Sequence, residues 1–394
     1  MPLSVVMDGR PLQTGFKAHA ERGIGRYSRN LIQAMLELEG GPDLELLVQD
    51  NLPRQGLPAG VPQLAAGYMP MWLPRFKRLA SHYWLARRPL LEPWRQGKVV
   101  HFLCHLDAPL RPGPRTVVTV HDLIAQRLEW LYKTEVSGLR FKVERWLETR
   151  ILYTAARLIA VSRQTKTDLV ELYGIDPARI TVVHEATDPG LAPEEDPARR
   201  REVLARHGLA GGEPFFLYLG GIDQRKGLGF LLQALAELKR RGLPHRLALA
   251  GRIDKDKQYP LLLKEIKTLG LEPSVRLLGF VPDDELPALF GSCLAFVFPS
   301  LYEGFGLPPL EAMTCGAPVV AARAAAVPEV VGEAGILVEP GDAGALAQAL
   351  AGLALNPELA RDLRRKGFAR AREFSWRRAA EETLAVYHEV AHET

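Results

Sequence analysis

The sequence predicts an α/β protein made of two doubly wound, largely parallel-sheet units in tandem. Three observations carry that expectation. Apolar runs of strand length alternate with amphipathic helical stretches, which is the signature of a parallel sheet covered on both faces. The pattern begins afresh near Phe215. The length, 394 residues, suits two domains at roughly 100–200 residues each.

The elements follow in order. A strand at Leu3–Met7 leads through a glycine-containing loop into a helix over Gly25–Leu38, with Leu31, Ile32, Met35 and Leu36 at helical spacing. Further strands are expected at Leu44–Val48, Val99–Leu103, Thr116–Val120, Leu158–Val161 and Ile180–Val183. Helices are expected between them, including Val136–Ala156 and Gln164–Tyr173. Asp188–Gly212, broken by prolines and glycines around a short helix at Ala198–His207, reads as the connection between domains. The second unit has strands at Phe215–Leu219, Leu247–Ala250, Val275–Leu278, Ala295–Phe298 and Pro318–Ala321, with a helix over Leu228–Arg241. A last helix, Ser375–Val390, repeats Trp376, Ala379, Ala380, Thr383, Leu384 and Tyr387 on one face, so that face calls for burial. The expected division is residues 1–195 and 196–375, with the last helix, 376–394, set apart. In such folds ligands bind at the carboxyl ends of the strands, so the cleft between the units is the expected site.

Composition narrows the function. Hydrophobic residues make up 47% and charged residues 24%, which excludes wholesale disorder and leaves enough apolar material for two cores. The net charge of +4 is uneven: residues 1–200 carry 27 Lys and Arg against 22 Asp and Glu, and residues 201–394 carry 23 against 24. That is too weakly basic for a dedicated nucleic-acid binder, so no nucleic-acid partner is expected. The excess concentrates in Met69–Lys98, where Arg75, Lys77, Arg78, Arg87, Arg88, Arg95 and Lys98 face a single acid, Glu92, among interleaved aromatics. This segment reads either as a surface helix with its aromatics inward or as a docking face for anionic lipid or a lipid-linked acceptor. Three scattered cysteines, no basic-then-apolar leader and no long apolar run point to a cytoplasmic protein, with peripheral contact at the inner membrane face left open.

The richest chemistry lies in Phe298–Met313. A buried strand ends at Phe298, a glycine-punctuated loop follows, and a helix begins with Pro308 and Pro309, where missing N–H groups cost nothing. Backbone N–H groups at such a loop and helix start suit phosphate or hydroxyl oxygens. Glu303 and Glu311, with seven residues between them, would both project from the carboxyl end of the strand. Carboxylates there accept hydrogen bonds from vicinal hydroxyls. Taken singly, each glutamate reads equally as an ordinary loop or helix-start residue.

Together they resemble the E-x7-E signature of family 4 glycosyltransferases, retaining enzymes of the GT-B architecture. The resemblance continues through Gly316-Ala317-Pro318-Val319-Val320, Val327–Gly332 and Gly335–Val338, and touches the first half at a few anchors. It implies two Rossmann-like domains facing a central cleft, with the C-terminal helix crossing back to the first. It also implies roles. Glu303 would contact the transferred sugar and Glu311 the ribose hydroxyls, while the backbone of Gly304, Phe305, Gly306 and Leu307 would cradle sugar and phosphate. Arg225 and Lys226, in the Gly220-Gly221-x5 run that follows a strand, would hold the diphosphate, and Gly221 would lie beside it. Phe280 and Val281 would meet the base. Two cations in a closed site stabilise the charge of a departing nucleoside diphosphate, which explains a family without a metal requirement.

In the first half, His121 and Asp122 resemble the family's His-Asp segment, in which the histidine faces the donor sugar. A lone His-Asp dipeptide reads first as a structural hydrogen bond, and a metal phosphohydrolase is its rival reading. Ser162 resembles another family position at a strand end. Gly23 and Gly25 form a G-x-G too short for a dinucleotide fingerprint, yet the family places a glycine-rich loop there beside the donor. One run departs from the family: Val182-Val183-His184-Glu185-Ala186-Thr187-Asp188 stands where Pro-Asn-Gly-Val-Asp is usual, with Asp188 its firm match. Asp254-Lys255-Asp256 and the group His101, Cys104 and His105 are read as solvated or structural, so neither a metal nor another cofactor is expected.

The expected activity is retaining transfer of a hexose from a nucleotide sugar to an acceptor hydroxyl of a sugar or lipid-linked acceptor, in polysaccharide or glycolipid synthesis. GDP-mannose is the favoured donor and UDP-glucose the alternative. A GT-B epimerase or phosphorylase, or a nucleotide-sugar-binding protein without turnover, are the more distant readings.

Overall fold

The computed structural model describes residues 3–16, 23–66, 88–109, 112–132, 146, 149–243 and 245–392. The chain forms two compact units: Met1–Asp188 with Ser375–Thr394, and Pro189–Phe374.

The first unit contains strands β1 (Ser4–Asp8), β2 (Asp43–Gln49), β3 (Gln63–Ala66), β4 (Val99–Phe102), β5 (Thr116–Val120), β6 (Arg157–Ala160) and β7 (Ile180–Val182). They form one sheet in the order β3-β2-β1-β4-β5-β6-β7, with every pairing parallel. The reversal between β1 and β4 is the topological switch at which doubly wound sheets bind ligands. Val5–Met7, Val99, Val100, Val117 and Val118 are buried, as strands covered on both faces require. The helix Gly23–Leu36 lies between β1 and β2, two residues earlier than its apolar spacing suggests. The expected helix at Val136–Ala156 falls mainly outside the described residues, with 149–154 helical. Most of Met69–Lys98 lies outside them as well.

The second unit contains β8 (Phe215–Leu219), β9 (Arg246–Ala250), β10 (Val275–Gly279), β11 (Ala295–Phe298), β12 (Val319–Ala322) and β13 (Gly335–Val338). Their order is β10-β9-β8-β11-β12-β13, again all parallel, with the switch between β8 and β11. Its core joins Phe216, Leu231, Leu235 and Leu238 to Leu247, Val297, Val320 and Leu350. The helix Pro197–Arg206, capped by the Asp196 carboxylate on Ala198 N–H at 2.8 Å, packs in this unit against Leu286–Ser292.

The final helix, Trp376–His392, packs in the first unit against Gly23–Leu36 and along β4–β6. Trp376, Ala379, Ala380, Thr383 and Tyr387 are buried on its face, as their spacing requires. Trp376 Nε1–H donates to the Thr187 carbonyl at 2.8 Å, and the Tyr387 hydroxyl meets His101 Nδ1 at 2.6 Å. These contacts place the helix on the first Rossmann-like unit although it follows the second in sequence.

Candidate functional site

In the second unit, the loops after β8 and β11 meet on one carboxylate. Lys226 Nζ donates to Glu303 Oε1 at 2.7 Å, Arg225 Nη1 at 3.0 Å, and the Ser300 hydroxyl at 2.6 Å. Arg225 also donates to the Tyr302 carbonyl, and its own carbonyl accepts from Leu301 N–H at 2.6 Å. The two loops are therefore sewn together by main chain as well as by charge. Burial pushes the Glu303 carboxyl up, but the neighbouring Lys226 and Arg225 charges and the bonds from Lys226 and Ser300 outweigh it and leave its pKa lowered. The cluster is thus two cations held around an ionised acid.

Backbone approach makes this possible. Gly227 ends the Arg225-Lys226 turn at φ +69°, and a Cβ there would lie 2.1 Å from the Pro299 carbonyl oxygen. Only glycine fits. Gly251 is equally constrained, since its Cβ would lie 2.1 Å from the Gly220 carbonyl oxygen, so the ends of β8 and β9 close on each other. At Gly221, by contrast, a Cβ would meet open space.

Gly306 caps the helix Leu307–Thr314 at φ +117°, with Pro308 and Pro309 in its first turn. Glu311 is 4% exposed on that helix. The Phe305 side chain is buried edge-on against Phe374, so this residue offers only backbone to a ligand. Val281 is likewise buried, whereas Phe280 is 55% exposed with the Arg252 guanidinium 4.4 Å over its ring. Both follow β10, whose last residue, Gly279, is left-handed at φ +68°.

In the first unit, His121 follows β5. Its Nδ1 lies 2.9 Å from Glu185 Oε1 and its Nε2 lies 2.9 Å from the Leu103 carbonyl oxygen. Burial pushes its pKa down, but the bond to Glu185, that carboxylate's charge, the Leu103 carbonyl and Asp122 together leave it raised. The Tyr27 ring stands edge-on to the imidazole at 4.6 Å. Beneath it, the Tyr27 hydroxyl, Thr119, His101 and Tyr387 form one buried hydrogen-bonded chain. Asp122 accepts from Ile124 N–H at 3.2 Å, a local turn contact. Ser162 is fully buried and caps the helix Arg163–Tyr173 by accepting from Thr165 N–H at 3.0 Å, a structural bond that needs no ligand. Gly23 and Gly25 open the first helix, Gly23 exposed and Gly25 buried, and the preceding loop, 17–22, lies outside the described residues.

Two residues escaped the sequence reading, and a third was read without its contact. Ser300 sits inside the signature run, but nothing in its spacing marks a serine that bonds the glutamate three residues later. Glu185 comes to His121 from 64 residues away, out of the run that departs from the family pattern. Asp188 was matched without a contact. Its carboxylate accepts from Arg26 Nε at 2.9 Å and Asn30 Nδ2 at 2.6 Å, which ties the first helix to the end of the unit. Among the described residues no group of three or more His, Cys, Asp or Glu side chains is arranged to hold a metal ion. No helix among them is long and apolar enough to cross a membrane.

Comparison with known proteins agrees with this geometry. Residues 22–191 match the family model for Glycosyltransferase Family 4, and residues 199–370 match that for Glycosyl transferases group 1. The O-antigen chain mannosyltransferase B of Escherichia coli is 29% identical over 93% of this chain and 95% of its own length. The alpha-maltose-1-phosphate synthase of Mycolicibacterium smegmatis is 30% identical over 76% of this chain and 78% of its own. Among solved structures, Anabaena HepE in complex with UDP superposes with a TM-score of 0.70 at 18% identity, over 99% of this chain and 100% of that one, a likeness of fold. With both units matched by family models and the signature glutamates, turn cations and parallel sheets in place, the chain belongs to the family 4 glycosyltransferases of GT-B fold.

Proposed function

We propose that this glycosyltransferase moves a hexose, mannose from GDP-mannose, to an acceptor hydroxyl with retention of anomeric configuration and without a metal. The observation that supports this reading best is the convergence of Arg225 and Lys226 on Glu303 at the carboxyl ends of β8 and β11. In the reaction the anomeric C–O bond breaks with its electron pair going to the nucleoside diphosphate. Arg225 and Lys226 stabilise the charge that develops there. The acceptor oxygen bonds to the same face of the sugar, and its proton passes to the leaving phosphate oxygen. Glu303 then orients sugar hydroxyls and Glu311 the ribose hydroxyls. No side chain is assigned as a covalent nucleophile.

Mannose is favoured because a relative aligned over 93% of this chain bears the name of a mannosyltransferase. UDP-glucose is the second reading, supported by the likeness to a fold solved with UDP. A thermal-shift panel of GDP- and UDP-sugars tests the donor, since a ligand that binds the native state raises its melting point. Product NMR then reads the anomer, and a chelator arm reads metal dependence. Stabilisation by UDP-sugars alone refutes the GDP assignment, and an inverted product refutes retention. Docking of 69–98 on anionic membrane belongs to the same reading. Failure to sediment with anionic vesicles at low salt refutes it.

A further inference from the structure

His121 is enclosed by acceptors. The Leu103 carbonyl at Nε2 has no proton to donate at any pH, and the Glu185 carboxylate at Nδ1 accepts when ionised. A neutral ring donating from Nε2 would aim its Nδ1 lone pair at Glu185 Oε1, 2.9 Å away, which holds only if the glutamic acid carries the proton. The pair therefore shares one proton, and the question is which member keeps it.

The surroundings decide in favour of the imidazole. Asp122, the adjacent residue, adds a second negative charge that favours a cation on His121. His101, the other histidine nearby, is neutral, since burial holds its pKa down to about 3. It therefore brings no competing positive charge. Tyr27 on the first helix and Tyr387 on the last are phenols whose pKa values burial raises, so they too are uncharged. Glu185 is 5% exposed and leaves the sheet just after β7, so it is held in place rather than sampling solvent. It lies in the run where this chain departs from the family pattern, at the place of an asparagine, which could accept from the ring but not fix a charge on it.

We propose that Glu185 is a positioning residue that keeps His121 an imidazolium with both N–H groups donated into the protein. This rests on the reading of His121 as a residue that faces the sugar. The ring then meets ligand as a fixed, positively charged C–H edge, and it cannot take the acceptor's proton. That proton is left to the departing phosphate oxygen. The histidine's contribution is electrostatic, on the same side of the balance as Arg225 and Lys226.

The test is a nitrogen-15 NMR titration of the histidines in the full chain, with His121 assigned by its loss in His121→Gln. The expected wild-type midpoint lies above the ordinary value of about 6.5. Glu185→Gln, which keeps an acceptor oxygen, should lower proton affinity at His121 by at least about tenfold, one pH unit. Glu185→Asp should restore part of that loss. Transfer by the wild type should lose rate only above its own His121 midpoint, whereas Glu185→Gln should lose rate at a pH lower by about one unit, as pH rises through its new midpoint. A wild-type midpoint at or below 6.5, the same midpoint in Glu185→Gln, or a superimposable pH–rate profile each overturns the proposal. The wild-type titration decides even if the variants fail to fold. If the titration behaves as expected and no nucleotide sugar binds, the charge assignment stands and the glycosyl-transfer reading falls.

Discussion

Replacing Glu303 by Gln is the most searching perturbation of the second unit. It preserves shape and one acceptor oxygen and removes the charge on which Lys226 and Arg225 converge at 2.7 and 3.0 Å. The three side chains are 14–19% exposed, so solvent screens them poorly. A hydrogen bond to a charged group is worth about 1.5–3 kcal/mol and a neutral one about 1 kcal/mol. The variant should therefore lose about 2–4 kcal/mol, or about 5–15 °C in Tm for a domain of this size. The sign with pH follows from the lowered Glu303 pKa: the pair's contribution is complete above the unfolded carboxylate value and is lost as pH falls through the folded one. Glu303→Gln should lack that acid limb. Ligand binding should move the other way. On the proposed roles, a diphosphate competes with Glu303 for the same two cations in the wild type and does not in the variant. GDP or UDP should then bind about tenfold more tightly, a gain of about 1.4 kcal/mol, while sugar transfer falls at least about tenfold. Differential scanning fluorimetry with and without nucleotide, calorimetry and a turnover assay read all three. An unchanged Tm, or nucleotide binding weaker than wild type, refutes the reasoning.

If Glu311 holds the ribose as proposed, Glu311→Ala should weaken GDP binding about tenfold and abolish any preference for GDP over its dideoxyribose analogue. Calorimetry with both nucleotides checks this. Gly227→Ala should cost at least about 1–2 kcal/mol from its left-handed backbone alone, with the clash on Pro299 added. Gly221→Ala, opening on space, should leave Tm almost unchanged yet weaken nucleotide binding; paired melting and binding curves separate the two. His101 has a folded pKa pushed down to about 3, so the unfolded chain takes up its proton first as pH falls. Stability should drop by up to about 5 kcal/mol between pH 6.5 and 3 on this account. In denaturant titrations across that range, His101→Gln should show a shallower slope.

Much of the architecture was legible locally. Continuous valine-rich runs such as Thr116–Val120 identify buried parallel strands because burial on both faces suppresses alternation. The short edge strand β3 was not anticipated, because its four residues carry no periodicity and its parallel pairing to β2 organises them. At the site, Arg225, Lys226 and Glu303 were readable as residues of two glycine-punctuated loops, and Glu311 as a residue of the helix that follows, because spacing is a local property; that the first two converge on Glu303 was not. Ser162 was readable as a strand-end residue, yet its bond to Thr165 gives it a helix cap.

By itself the sequence determined the two-unit α/β plan, the signature loop and the burial of the last helix's face. Each depends on periodicity, turn chemistry or spacing within a few residues. Only the tertiary structure decided which atoms share a proton or a charge. Glu185 reaches His121 across 64 residues, Tyr387 reaches His101 across 286, and Lys226 meets Glu303 across 77. Hydrogen bonds and ion pairs act over about 3 Å in space. Strand order and crossover handedness bring such distant residues within reach, and no local pattern in the chain encodes that distance.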